Sequence, residues 1–399
     1  MRFFIINHYA YAPDQGAGTR QFEFARFLIS KGVDACVVSC SFFHKKCQRR
    51  PGTERQLVKH ENVEGVPYTW LWSLAYQKNG ARRLLNMLLF SFFLFFYMLK
   101  TVRKGDIAYL SSPQPFACMA GLIAARIKGA RIVYEIRDLW PQILNDMGGL
   151  SKKNPVFKIF SMIENVMVSR SEMVVSTLWG VESYFKDKGI EIRKFLWAPN
   201  GISKEALLKN PMATYQASKP FTIIYAGAHG PAQNLHKVLE AFSSFSRDDV
   251  NLKLIGAGSL KANLVEYANG LHCENVCFDD PVPKSQIFEV LKSADALILP
   301  LVDAKVFDYG LTPNKLADYL LVGKPIIFFG PEGACILKDD VSGYVCSKDS
   351  VDALKSKIEY VLRLSDEERG RVALEGRKVL EENLVLDSNF EKIIQAIGV

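Results

Sequence analysis

Short apolar runs alternate with helix-like patterns along almost the whole chain, and the alternation restarts once. In the first half, strand-like runs stand at FFIIN (3–7), ACVVSC (35–40), IAYLSS (107–112), RIVYEIR (131–137), MVVST (173–177) and KFLWAP (194–199). Helical patterns separate several of them, for example TRQFEFARFLISKG (19–32) and PFACMAGLIAARIKG (115–129). Both close on glycine, a usual residue just past a helix end. SKEALLKNPMATYQASKP (203–220) is a polar break with two prolines and reads as a linker. The pattern then resumes with FTIIYAG (221–227), a helix through LHKVLEAFSSF, NLKLIGAG (251–258), NVCFDD (275–280), ADALILPL (294–301) and KPIIFFG (324–330). Strand–helix–strand alternation with short links predicts an α/β fold. Two domains of similar size are expected, each a parallel sheet with helices on both faces. The closing NFEKIIQAIGV reads as an amphipathic helix.

A chain of 399 residues with 49% hydrophobic residues can bury a large core, so stability needs neither disulfides nor metals. The eight cysteines point to a reduced, cytoplasmic compartment rather than a secreted disulfide framework. Cys36, Cys40, His44 and Cys47 invite a zinc reading, but VDACVVSCSFF is strand-like and puts Cys36 and Cys40 on one face, so no metal is expected. Lys and Arg number 50 against 42 Asp and Glu, a net +8 that suits a nucleotide or an acidic membrane surface. No basic run interleaved with aromatics is visible, so a nucleic-acid partner is not expected. The N-terminal MRFFIINHYAYAPDQ has only FFII as its apolar run and reads as a buried first strand, not a signal peptide.

LLNMLLFSFFLFFYML (84–99) is apolar except for Asn86 and Ser91. Arg82 and Arg83 precede it, and Lys100, Arg103 and Lys104 follow. Its 16 residues fall short of the ~20 that a comfortable span needs. Two readings remain: a wholly buried helix, or a monotopic patch with basic flanks on anionic headgroups.

Ligands of open α/β sheets bind beyond the carboxyl ends of the strands, so the post-strand loops carry the candidate site. After the first strand comes NHYAYAPDQGAGTRQFEFA, where Gly16 and Gly18 allow close backbone approach and Thr19 can cap the next helix. Its glycine spacing departs from a dinucleotide fingerprint. Glu135, Arg137 and Asp138 cluster at the end of the 131–137 strand in EIRDLWPQ, as a salt-bridged terminus or as acid/base and orienting groups. In YAGAHGPAQNL, Gly227, His229 and Gly230 stand at a strand end, with Gln233 and Asn234 before the helix. In YGLTPNKLADYLLVGKPI (309–326), Thr312 is expected as N-cap and Pro313 as the first helical residue. Free amides, the positive helix end and the Lys315 ammonium would then meet at Asn314 and Lys315, a seat for a diphosphate. Asp318, three residues on, shares that face and suits a ribose diol, although an i,i+3 surface ion pair is the plain alternative.

Together these motifs, with WAPNGI (197–202) and DDPVPKSQIFEVLKSADALILPL (279–301), resemble the family 4 retaining glycosyltransferases of the GT-B fold. The resemblance is to the bacterial O-antigen and capsule branch that includes L-fucosamine transferases, and it spans nearly the whole chain. It implies two Rossmann-like domains facing a cleft. Residues 1–203 would form the acceptor side, 204–380 the nucleotide-sugar side, and 381–399 a final helix returning to the first domain. It further implies a nucleotide-diphosphate sugar donor, a UDP-sugar, and a lipid-linked saccharide acceptor at the inner face of the cytoplasmic membrane. No metal or other cofactor is implied. The donor would meet Gly227, His229, Asn234, Gly310, Thr312, Asn314, Lys315 and Asp318. Gly16, Gly18, Arg20 and Glu135 would line the acceptor side. Asp138, Arg137 and Lys315 would act in the chemistry. Many relatives carry two glutamates eight residues apart where this chain has Gly310 and Asp318, and Arg and Lys where it has His229, Gln233 and Asn234. A nucleotide-sugar epimerase and a catalytically silent binder stay open as alternatives.

Overall fold

The computed structural model describes residues 1–399 except 17, 18, 45, 78, 79, 284 and 285. The chain divides into two compact units. The first is Met1–Ala198 with Phe390–Val399, and the second is Pro199–Asn389.

The main sheet of the first unit has eight strands among the described residues: β1 Arg2–Ile6, β2 Asp34–Cys40, β3 Val58–Val63, β4 Val66–Leu71, β5 Ile107–Ser111, β6 Arg131–Ile136, β7 Met173–Ser176 and β8 Phe195–Trp197. They lie in the order β8-β7-β6-β5-β1-β2-β4-β3. All neighbours are parallel except β3 and β4, a hairpin in which Val63 faces Val66. Glu64 and Gly65 turn it at φ 48° and 86°. Two positive φ values at the centre of a two-residue loop suit the twist of the flanking strands. The run VKHENVEGVPYTWL carries only a Glu-Gly turn signal, which is why the alternation of the sequence does not reveal this edge pair.

The helices that matter here are α1 Arg20–Ser30, α2 Ala81–Thr101, α3 Pro115–Ile127 and α4 Pro155–Arg170. The steps β4→β5, β5→β6 and β6→β7 run one way along the sheet, and β1→β2 runs the other. Right-handed crossovers therefore put α2, α3 and α4 on one face and α1 on the opposite face. The packing agrees, since α2 packs on α3 and α3 on α4. The chain end covers the α1 face: Phe390 stacks on Phe24 at 4.9 Å, and Glu391 pairs with Lys31 at 2.8 Å.

α2 has a buried face of Met87, Phe90, Leu94 and Met98, with Asn86 and Ser91 buried among them. The Asn86 amide donates to the Leu74 carbonyl, and Gln114 Nε2 donates to Ser91 Oγ. The opposite face leaves Leu84, Leu85, Leu88, Phe92 and Phe96 exposed. The expectation of a wholly buried helix is thereby overturned.

The second unit has six parallel strands: β9 Phe221–Ala226, β10 Val250–Ile255, β11 Val276–Asp279, β12 Ala296–Pro300, β13 Ile326–Phe329 and β14 Tyr344–Cys346. Their order is β11-β10-β9-β12-β13-β14. The chain runs outward from β9 to β11, then crosses back to β12, so the topological switch point lies between β9 and β12. Helices α5 Leu235–Phe242 and α6 Asn314–Val322 follow these two strands. Ile223, Tyr225, Leu239, Phe242, Leu254, Ile298 and Ile327 belong to one buried core beneath them.

Candidate functional site

In the second unit, β9 ends in a turn of bare backbone. A Cβ on Gly227 would sit 2.7 Å from Lys315 Nζ and 3.0 Å from the Tyr225 hydroxyl. A Cβ on Gly256 would come 1.9 Å from the Gly227 carbonyl oxygen, and one on Gly258 would come 2.2 Å from that of His229. Glycine at 227, 256 and 258 is thus what lets the loops after β9 and β10 and the start of α6 meet. Gly256 and Gly258 were legible as the GAG that ends NLKLIGAG, yet were read only as the end of a strand.

α6 begins one residue later than the sequence suggests. Pro313, with φ −63° and ψ 141°, is the N-cap, and Thr312 is buried before it with its carbonyl 3.5 Å from Asn200 Nδ2. Lys315 is therefore the second helical residue rather than the third. Its ammonium donates to the Tyr225 hydroxyl at 2.8 Å and lies 4.4 Å from the centre of that ring. Tyr225 in turn donates to the Ala228 carbonyl at 2.6 Å. One turn on from Lys315, Tyr319 accepts from the Ala226 amide at 2.7 Å, clamping α6 to the end of β9.

No carboxylate pairs with Lys315 among the described residues, and burial pushes its ammonium down to about 8. A half-buried cation without a counter-charge is partly stripped of water, and an anion brought to it offsets that cost. The first N–H groups of α6 lack intrahelical acceptors, and the helix dipole adds positive potential beside the ammonium. Lys315, the Gly227 backbone and the α6 amides thus form an anion seat at the switch point of the second sheet. His229 stands beside it. Its ring is buried with both nitrogens unpartnered among the described residues, and burial and the nearby Lys261 and Lys315 lower its pKa. A neutral imidazole there can donate or accept a hydrogen bond. Asp318 is half-buried on α6, one turn from Lys315.

Two of the expected donor residues also shape the local backbone. Asn234 adopts φ 46° ahead of α5, and its amide donates to Asp349 Oδ1 at 2.9 Å and the Leu301 carbonyl at 3.3 Å. Gly310 closes the 3₁₀ turn Lys305–Tyr309 with φ 91°. A side chain is strained in that conformation, so a glutamate at 310 would need a different local backbone.

In the first unit the switch point lies between β1 and β5. Asn7 ties the two strand ends together, its amide donating to Ser111 Oγ at 2.9 Å and to the Ser112 carbonyl at 2.8 Å. Arg20 and Glu135, expected to line the acceptor side, are both buried and are spent on each other. Arg20 Nε lies 2.7 Å from Glu135 Oε1, and its Nη2 donates to the Ala198 carbonyl at 2.7 Å. Tyr109 and Ser111 hydroxyls also donate to Glu135, at 2.9 and 2.6 Å. Burial disfavours the Glu135 charge, but Arg20, Arg137 and Ser111 outweigh it and hold the carboxyl below its usual range. The arrangement is an internal network that fixes the strand end.

Arg137 and Asp138, just beyond, are only half-buried. The Arg137 amide donates to Ser112 Oγ at 2.8 Å, and its guanidinium reaches Gln21 Oε1 at 3.4 Å. Burial raises the Asp138 pKa and Arg137 opposes the rise. A carboxylate made more basic by its surroundings is suited to accept a proton. Gly16 ends the 3₁₀ turn Pro13–Gln15 at φ 65° with open space where a Cβ would stand. Thr19 makes no side-chain cap for α1, contrary to expectation. Gly18 lies outside the described residues.

Cys36 and Cys40 are buried on β2, and burial pushes both thiols up to about 12. His44 Nδ1 is 2.8 Å from the Tyr76 hydroxyl. Among the described residues no group of three or more His, Cys, Asp or Glu is placed to hold a metal.

Comparison with known proteins agrees with the two-sheet geometry. Residues 211–379 match the family model described as Glycosyl transferases group 1. WcaI of Escherichia coli (strain K12), named as a colanic acid biosynthesis glycosyl transferase, is 22% identical over 329 residues, covering 78% of this chain and 79% of that protein. Among solved structures, sucrose-phosphate synthase from Thermosynechococcus elongatus superposes with a TM-score of 0.75 at 12% identity, covering 99% of this chain and 98% of the other. Anabaena HepE, in complex with UDP and glucose, superposes with a TM-score of 0.69 at 12% identity, covering 100% and 99%.

Proposed function

We propose that this chain is a glycosyltransferase of the GT-B fold, since residues 211–379 match the Glycosyl transferases group 1 model, and that its donor is a nucleoside-diphosphate sugar seated at Lys315. The observation that carries this reading is the half-buried Lys315 ammonium, without a carboxylate partner among the described residues, facing bare backbone at Gly227. In this reading the departing diphosphate is held by Lys315 and the first amides of α6, which meet charge as it develops on the leaving group. That assignment needs no metal. Asp318 accepts from the ribose hydroxyls, and His229 and Gly310 border the diphosphate and sugar. UDP is the nucleotide proposed, because HepE holds UDP and glucose in a similar fold.

The acceptor proposed is a lipid-linked saccharide of surface polysaccharide, O-antigen or capsule, at the cytoplasmic face of the membrane. The likeness to WcaI, named for colanic acid biosynthesis, supports polysaccharide biosynthesis as the setting. Asp138 takes the proton of the attacking hydroxyl, and Arg137 orients the acceptor. Retention of anomeric configuration, inferred from the resemblance of the motifs to retaining enzymes, requires the hydroxyl to attack on the same face of the sugar from which the diphosphate departs.

A thermal-shift panel of nucleoside diphosphates and their sugars tests the donor. A ligand at about 100 times its Kd adds roughly 2.7 kcal/mol of stability. UDP and UDP-sugars should raise the melting temperature of the wild type and lose most of that effect in Lys315→Ala. Donor turnover should fall with it, and wild-type turnover in a folded Lys315→Ala protein overturns the assignment. Product analysis separates the rivals: donor epimerisation without acceptor supports an epimerase, and binding without turnover across a broad panel supports a silent binder.

A further inference from the structure

The exposed side of α2 continues across its neighbours. Leu84, Leu85, Leu88, Phe92 and Phe96 form a stripe at helical spacing, and Phe92 and Phe96 are more than half exposed at 56% and 53%. The same face of the sheet carries Ile123 and Ile127 on α3, and Val156, Ile159 and Met162 on α4, all exposed. Scattered exposed apolar residues are ordinary, but ten on three mutually packed helices are not.

The charge pattern says what covers them. α2 and α3 contain no Asp or Glu, and carry Arg82, Arg83, Lys100 and Arg126. The one acid of α4, Glu164, is buried and paired with Lys188 at 2.8 Å. Arg103 and Lys104 follow α2, and Lys152 and Lys153 precede α4, all exposed. A groove of about 580 Å³ opens along α4, lined by Lys152, Lys158 and Arg170 together with Phe157 and Met162.

We propose that this α2–α3–α4 face seats on an anionic lipid bilayer, with α2 lying in the plane of the interface. α2 is long and apolar enough to cross a membrane. Its buried Asn86 and Ser91 are instead hydrogen-bonded inside the protein, and its outer face alone is apolar and open. One apolar face is thus held by the protein and the other is free to enter the interface, with the cations at the helix ends level with the headgroups. The proposal does not depend on the donor assignment, because its readout is binding to lipid.

Co-sedimentation of the full chain with vesicles of phosphatidylglycerol and phosphatidylcholine tests it, against pure phosphatidylcholine. Binding should favour the anionic vesicles and weaken in high salt. Phe92→Ser with Phe96→Ser should weaken it about tenfold or more, since two large apolar side chains no longer enter the interface. Each of Arg82→Gln, Lys100→Gln, Arg103→Gln and Lys104→Gln should weaken it up to about fivefold. All six positions are exposed, so melting temperature and UDP-induced shift should match the wild type. No vesicle binding by the wild type, or binding indifferent to the phenylalanine pair, overturns the proposal. So does a dimer that the phenylalanine pair dissociates in the absence of lipid binding, which would assign the face to a second copy of the chain.

Discussion

Replacing Lys315 by Met should stabilise the ligand-free protein while ruining its function. The ammonium titrates near 8 in the fold against an ordinary value of 10.5, because burial disfavours its charge. Each unit of such a difference is worth about 1.4 kcal/mol, so the folded chain carries a penalty of about 3 kcal/mol at neutral pH. Met fills a similar volume without charge. After losing the hydrogen bond to Tyr225, worth about 1 kcal/mol, the variant should remain about 2 kcal/mol more stable at pH 7. The sign of the pH dependence follows from the direction of the shift. A lysine with a depressed folded pKa costs its full penalty below about 8. Between about 8 and 10.5 the folded state has shed the proton that the unfolded state keeps, so stability rises with pH. The wild type should therefore recover about 2 kcal/mol relative to Lys315→Met between pH 7 and pH 9.5. Urea unfolding of both proteins at the two pH values isolates this term, because the neighbouring His229, whose pKa is lowered, is neutral at both. Adding UDP at pH 7 should reverse the order, stabilising the wild type and scarcely touching the variant. Turnover should fall about 10²–10³-fold, the range for removing a group that meets developing charge. A ligand-free Lys315→Met protein that is less stable than the wild type at pH 7, and equally stabilised by UDP, would refute the unpaired-cation argument.

Gly227→Ala should fold but bind UDP at least about tenfold more weakly by calorimetry, because its Cβ would stand 2.7 Å from Lys315 Nζ and displace it. Arg20→Ala should cost about 3–5 kcal/mol in urea unfolding, since it strands the buried Glu135 carboxylate, whereas Arg20→Ala with Glu135→Gln should restore part of the loss. Asp138→Asn should keep UDP affinity and melting temperature while lowering transfer to acceptor about 10²-fold or more, as expected when a general base is lost.

What the sequence showed and what it hid divide along a physical line. The α/β alternation is local, and it put most strands of both sheets in view. Helix starts and post-strand glycines are local too, so YGLTPNKLADY and YAGAHG announced themselves. The Glu-Gly hairpin at 64–65 escaped because its turn signal is weak. The pairing of Arg20 with Glu135 spans 115 residues and leaves no mark in either neighbourhood. The same holds for Tyr225, which looked like one more apolar strand residue and proves to be the group that receives Lys315. For α2 the difficulty was phase. A helix that is apolar all round gives no period from which to read its buried side. Only tertiary packing separates Phe90, fully buried, from Phe92, more than half exposed.

Gly310 shows how the site can depart from its relatives without losing its logic. Its φ of 91° closes a 3₁₀ turn that delivers the chain to Pro313 and so sets where α6 begins. A glutamate there would bring a carboxylate toward the donor sugar but would strain that turn. The turn leads the chain to the start of α6, where Lys315 stands against Gly227. It follows that the anion seat and the sugar contacts are separable. The seat rests on a half-buried charge and bare backbone within the second unit, whereas the sugar must be read by other groups near the same strand ends. His229, buried with both ring nitrogens unpartnered among the described residues, has hydrogen-bonding capacity to spare. His229→Phe should therefore discriminate between donors that differ only in the sugar, changing their relative affinities by calorimetry while leaving UDP itself bound. Equal losses for UDP and for every UDP-sugar would return His229 to the diphosphate seat.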